Sequence, residues 1–129
     1  MAKTCSSNVK LQGLNYIVAN ASKLIVCAGQ PPTYAAAMAT ANNMIATWAM
    51  TTGTGTDYQK VESGTTYTLE VLAQSSLVPA ATVVADHIAL VSTALSELIM
   101  VTTCATQLIT STSNKINVST WTIKIGDAT

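Results

Sequence analysis

Apolar and polar positions along the chain alternate most clearly between Val83 and Asp127. Three runs rich in Val, Ile and Thr follow one another there: Val83–Ser92 (VVADHIALVS), Leu98–Cys104 (LIMVTTC) and Lys115–Ile125 (KINVSTWTIKI). Each has the length and β-branched content of a strand and is bounded by Ser, Thr, Asn or Gly. In the last run Ile116 and Val118 share one parity, whereas Trp121, Ile123 and Ile125 share the other. A bulge or sharp bend near Ser119-Thr120 reconciles them, by keeping both groups on the core or by switching the strand between two sheets.

Earlier in the chain, Thr66–Ala73 (TYTLEVLA) alternates with Tyr67, Leu69, Val71 and Ala73 on one side and Thr68 and Glu70 on the other. Together with Asp57–Val61 across Glu62-Ser63-Gly64-Thr65 it reads as a hairpin with one core face and one solvent face. Gln74–Ala80, with Pro79, reads as a loop, and TTGTGT (Thr51–Thr56) as a flexible turn. The nearly continuous apolar run Lys23–Ala28 (KLIVCA) is the pattern of a strand covered on both faces. In Thr33–Met50, the residues Tyr34, Met38, Ala41, Ile45 and Trp48 fall at helical spacing after Pro31-Pro32, but Asn42-Asn43 interrupts them. A short helix over about Thr33–Thr40 followed by extended chain is expected. Residues 1–21 carry three Asn and a Gly among Leu14, Ile17 and Val18, which disfavours a long helix and suggests an N-terminal arm with at most a short ordered piece. The expected architecture is mainly β: an antiparallel sandwich or partly closed barrel over residues 22–129, with at most one short helix near residues 33–40.

Composition narrows the function classes. Six Lys balance six acids, Arg is absent, charged residues make up 9% of the chain, and Thr and Ser number 21 and 11. There is no basic footprint for nucleic acid or an anionic membrane. A surface this poor in charge favours association. The three Cys are scattered without a CxxC pair, which argues against a metal knuckle or disulfide framework, and Cys27 and Cys104 lie in apolar runs as expected of small buried hydrophobes. The N-terminus lacks an apolar signal segment, and no apolar run is long enough for a membrane helix, so synthesis and folding in the cytoplasm are expected.

The catalytic inventory is thin. His87 is the one histidine, and its neighbour Asp86 is expected on the opposite face of the same strand, out of reach as a base–orienter pair. The lone GxG in TTGTGT lacks the strand and third glycine of a phosphate loop. No enzyme activity, metal or cofactor is expected.

Four segments in this order resemble a family of small virion proteins of tailed bacteriophages: KLIVCAGQPPTYAAA, GTTYTLEVLAQ, ADHIALVSTALSELIMVTTCATQLIT and NKINVSTWTIKIGDA. The resemblance spans about residues 22–127, leaving the first twenty or so unmatched. It implies a structural component of the particle, a decoration or cement protein on the head surface. Its partners would be the major capsid protein and further copies of itself in a homo-oligomer such as a trimer. A tail or head–tail joining protein and a host- or glycan-binding β module are the alternatives. Aromatic and aliphatic anchors carry such docking, and Tyr16 and Ile17 on the arm with Met44 and Trp48 beyond it are the candidate partner contacts; the competing expectation for all four is ordinary core packing.

Overall fold

The computed structural model describes residues 6–40, 43–63 and 66–125. Two helices and nine strands follow in the order α1 (Ser7–Asn20), β1 (Lys23–Cys27), α2 (Tyr34–Met38), β2 (Met44–Ala49), β3 (Tyr58–Ser63), β4 (Thr66–Val71), β5 (Gln74–Leu77), β6 (Val84–Ser92), β7 (Glu97–Leu108), β8 (Ile116–Val118) and β9 (Trp121–Lys124). All pairings are antiparallel. They form a four-stranded sheet β2-β1-β6-β7, a three-stranded sheet β3-β4-β9 and a two-stranded sheet β5-β8. The architecture is the expected mainly β, sandwich-like one, and the sheets do not close into a barrel.

The inner face of the large sheet carries Leu24, Val26, Ile88 and Leu90, which join Tyr58, Leu69, Val71, Leu77, Ile116, Val118 and Ile123 from the other two sheets in the main core. The bend inferred at Ser119-Thr120 is where the chain changes sheets: β8 pairs with β5, and three residues later β9 pairs with β4. The parity switch thus lets Ile116 and Val118 serve one sheet and Ile123 the other, all facing one core.

The N-terminal segment departs from the expected arm. Residues 7–20 form a helix of 14 residues whose Leu14 and Val18, one turn apart, are buried in the main core. Helix propensity is overridden here by tertiary contacts and by local use of the polar residues. Ser6 caps the start, its Oγ accepting from the Val9 N–H at 3.3 Å. Asn20 Nδ2 donates to the Tyr16 carbonyl at 2.9 Å, and Asn15 Oδ1 accepts from Lys60 Nζ at 2.9 Å, so these Asn serve the fold rather than break the helix. Gly13 allows the helix to lie against Ile125, because a Cβ there would overlap Ile125 Cδ1.

The short helix near residues 33–40 is present as α2, capped by Thr33 Oγ1 accepting from the Ala36 N–H at 3.1 Å. Asn42, invoked above as an interruption, lies outside the described residues, as do Gly64 and Thr65 of the hairpin turn and Asp127. Two further differences concern strand limits. Gln74–Leu77, expected as loop, is the strand β5, held to β8 at Gln74↔Val118 and Leu77↔Ile116 and by the Ser76 N–H donating to Asn117 Oδ1 at 3.0 Å. β7 runs four residues past Cys104 because the register of β6 continues to Val84↔Leu108 across an irregularity.

Candidate interaction surfaces

The large sheet is apolar on both faces. Strand pairing sets Thr47, Ile25, Ala89 and Val101 in one row and Met44, Cys27, His87 and Thr103 in another. Paired residues share a face and alternate along each strand, so these rows lie on the outer side, away from the main core. There Ile25, Cys27, Ala37, Ala89 and Val91 form a second buried cluster, with Tyr34, Met38, Met44, Leu98 and Val101 half-buried around it. The expectation that Lys23–Ala28 is a strand covered on both faces is met in this way. Among the described residues the cover over this outer face is the five-residue helix α2 and its neighbouring loop, and the rim is left half open. One-sided sheets normally turn polar residues outward; this one sets Ile25, Cys27, Ala89, Val91 and Val101 there beside Thr47, His87 and Thr103.

The four candidate contacts do not come together. Met44 belongs to the rim just described. Ile17 packs inward against the main core, as the core-packing expectation had it. Tyr16 is 45% exposed on α1, with its hydroxyl donating to Glu97 Oε2 at 2.7 Å. That bond raises the Tyr16 phenol above its ordinary pKa, with smaller effects of desolvation and of the Glu97 charge. Trp48 stands opposite Leu24 on the edge strand β2 and is 36% exposed.

Asp86 and His87 require a correction: they are in contact, with His87 Nδ1 and Asp86 Oδ1 at 2.8 Å. Strict alternation would separate them, but the β6–β7 register shifts between Ala85 and His87. The same Asp86 oxygen accepts from the Gly29 N–H at 2.7 Å, where the chain turns out of β1 with φ 76°. The hydrogen bond from His87, then that from Gly29, holds the Asp86 carboxyl below the usual carboxylate range. Cys27 is the strand partner of His87, which places a thiol, an imidazole and a carboxylate on neighbouring strands. A nucleophilic cysteine needs a lowered pKa. Burial, followed by the charges of Asp86 and Cys104, instead pushes the Cys27 thiol up to about 12. This cluster ties the Gly29 turn to β6 and has no activated nucleophile in Cys27. Among the described residues no group of three or more His, Cys, Asp or Glu could hold a metal ion.

A cleft of about 820 Å³ opens between the second half of β7 and the 114–122 segment that carries β8 and the start of β9. Its floor is Val26, Ala85, Ile88, Ile116 and Val118 from the main core. Its walls bear hydroxyls and amides, including Thr102, Gln107, Asn114, Asn117 and Thr120, and among the described residues Lys115 is the one charged residue lining it. Trp121 lines it too, and its indole Nε1 is buried with no hydrogen-bond partner among the described residues. Sequence reasoning did not anticipate this cleft. Its one local signal is a Trp set among Ser119, Thr120 and Thr122.

No helix among the described residues is long and apolar enough to cross a membrane. No protein-family model, curated protein or solved structure matches this chain.

Proposed function

We propose that this chain is a structural protein of a tailed-bacteriophage virion, a decoration or cement protein that binds the outside of the head and stabilises it together with further copies of itself. The reading joins the virion-protein resemblance of residues 22–127 to one structural observation, the half-open apolar outer face of the β2-β1-β6-β7 sheet. The role is structural rather than catalytic. Completing the burial of a half-buried side chain such as Leu98 or Val101 is worth about 1 kcal/mol. One such contact is weak, but several copies engaging one particle make it durable. A chain in which only 9% of the residues are charged opposes such contact little by desolvation.

The test is a mass-spectrometric count of this chain in purified particles, combined with a Val101→Lys variant. Val101 lies on the open rim, where a lysine can reach solvent in the free protein but places a charge in the docked face. The expected result is a stoichiometric head component whose Val101→Lys form folds, with a melting temperature near wild type, and dissociates from particles. Absence from the particle, or undiminished retention of the variant, refutes the proposal. A count of only a few copies per particle would assign the chain to the tail or the head–tail junction.

A further inference from the structure

The cover over the outer sheet face is fastened unevenly. The chain leaves the sheet after β1 and re-enters it at β2, and the two ends of the segment between are bonded to each other. The Ala28 N–H donates to the Asn43 carbonyl at 2.9 Å, and Asn43 Nδ2 donates to the Ala28 carbonyl at 2.8 Å. A compact segment with joined ends is the geometry of an Ω-loop. Its main-chain bonds are internal, as from the Ala37 N–H to the Thr33 carbonyl at 3.0 Å, or run between Ala36 and Ala39 and the base residues Asn43 and Met44. Among the described residues, one hydrogen bond ties residues 29–40 to a strand other than the two they connect. It runs from the Gly29 N–H to Asp86 Oδ1 on β6 at 2.7 Å.

The remaining hold on the sheet is apolar. Ala37 is fully buried in the second cluster, with Tyr34 and Met38 half-buried beside it, and Ile25, Cys27, Ala89 and Val91 are buried on the sheet face below. Apolar contact is non-directional, and the strands below satisfy their main-chain groups by pairing with one another. The cover can therefore part from the sheet with the loss of a single polar contact. Gly29, at φ 76°, has the freedom to change its backbone angles, and Pro31-Pro32 stiffens the chain that follows, so the segment moves as a unit. Units joined in this way open locally at a free energy below that of global unfolding.

We propose that residues 29–40 are a hinged cover that swings off the outer face of the β2-β1-β6-β7 sheet when the Gly29–Asp86 clasp yields, uncovering Ile25, Cys27, Ala89 and Val91. The hinge is the bonded base at Ala28 and Asn43, and the clasp is on the neighbouring strand β6. The half-open face is then the closed form of a larger apolar one. That the uncovered face meets a particle rests on the proposed function; the opening itself does not, and its test uses the free chain.

Two variants of the full chain act on the cover from different sides, and the buried Cys27 thiol beneath it is the reporter. Asp86→Ala removes the clasp. Alkylation near pH 8, read by peptide mass spectrometry, should then label Cys27 about tenfold faster than in wild type, the worth of one charge-assisted hydrogen bond. The labelling rate should depend on urea far less steeply than global unfolding does, because little surface is exposed in the opening. Ala37→Asp instead sets a charge against the sheet under the cover. A hinged cover gives way and carries that charge into water, so Cys27 becomes open to labelling and the melting temperature falls by less than about 10 °C. Should Asp86→Ala fold poorly, Ala37→Asp decides alone. Unchanged Cys27 labelling in a folded Asp86→Ala overturns the proposal, as does labelling that rises only in step with global unfolding. A larger fall in the melting temperature of Ala37→Asp also overturns it, and would make α2 an inseparable part of the core.

Discussion

Replacing Tyr58 with Phe isolates a single buried hydrogen bond. Tyr58 opens β3, is fully buried, and donates its hydroxyl to the Ala21 carbonyl at 2.7 Å. Ala21 is the C-cap of α1 and is itself fully buried, so this bond fastens the end of the helix to the β3-β4-β9 sheet. The ring survives in Tyr58→Phe, and the packing changes little. What is lost is the bond, and the Ala21 carbonyl keeps its burial without that donor. An unsatisfied buried acceptor costs about 1–3 kcal/mol, which sets the expected loss near 2 kcal/mol. For a domain of this length that is a drop of about 8 °C in melting temperature, read by calorimetry. Hydrogen exchange should quicken first at the amides of the last turn of α1. A pH series adds an internal check, because burial, and then the Asp57 charge, raises the Tyr58 phenol above its ordinary pKa. A group raised in this way contributes stability below its unfolded pKa and loses it as pH rises, so the gap between wild type and variant should narrow above about pH 10. A melting temperature within about 2 °C of wild type at neutral pH would refute the assignment of this bond as a fastening of α1.

Three other expectations follow from the same contacts. Asp57 is 7% exposed and accepts from the Thr51 N–H at 2.6 Å and from Gln74 Nε2 at 2.7 Å, so Asp57→Ala should cost about 3 kcal/mol, seen as a lower urea midpoint at unchanged slope. The Asp86 carboxyl, held low by His87 and Gly29, supports the Gly29 turn above the carboxylate range and releases it as pH falls through its own lowered pKa; the Gly29 amide resonance should report that transition in acid, and Asp86→Asn should abolish it. Alkylation of native protein near pH 8, read by peptide mass spectrometry, should spare Cys27, whose thiol is pushed up to about 12, until the protein is unfolded; labelling of Cys27 in the native state would show that its burial is not maintained.

Legibility in the sequence tracked how far a signal was local. The run LIVC announced a strand with two apolar faces, and the parity change at Ser119-Thr120 announced a bulge or bend in the last strand, because side-chain alternation is itself local. Helix α1 was hidden by Gly13 and three Asn, and the compensations lie far along the chain, in Ile125 and Lys60. The strand β5 has no apolar period, with Gln74, Ser75 and Ser76 before Leu77, and exists through its pairing with β8 and the Ser76–Asn117 bond. The contact of Asp86 with His87 required a register shift that no propensity encodes. As for the surfaces, Met44 was singled out as an aliphatic anchor in an ambiguous segment, and it reached the outer rim for another reason, as the strand partner of Cys27. The cleft is assembled from Thr, Asn and Gln side chains that mean little singly; their significance comes from β7 and the 114–122 segment facing each other.

The two surfaces lie on different sides of one sheet, and this bears on how they could be used together. β1 and β6 sit in the middle of the large sheet, with Leu24, Val26, Ile88 and Leu90 facing the main core and Ile25, Cys27, Ala89 and Val91 facing the second cluster. A partner placed on the Met38, Met44, Leu98 and Val101 rim therefore approaches from the outer side. The cleft has Val26 and Ile88, residues of the inner face, in its floor, and the 114–122 segment as its far wall. Docking by the outer rim thus leaves the inner-side cleft geometrically free. Val101→Lys should therefore abolish particle retention while leaving the amides of Asn117 and Thr120, which line the cleft, at their wild-type NMR positions. Movement of those amides in the variant would mean that the two surfaces are coupled.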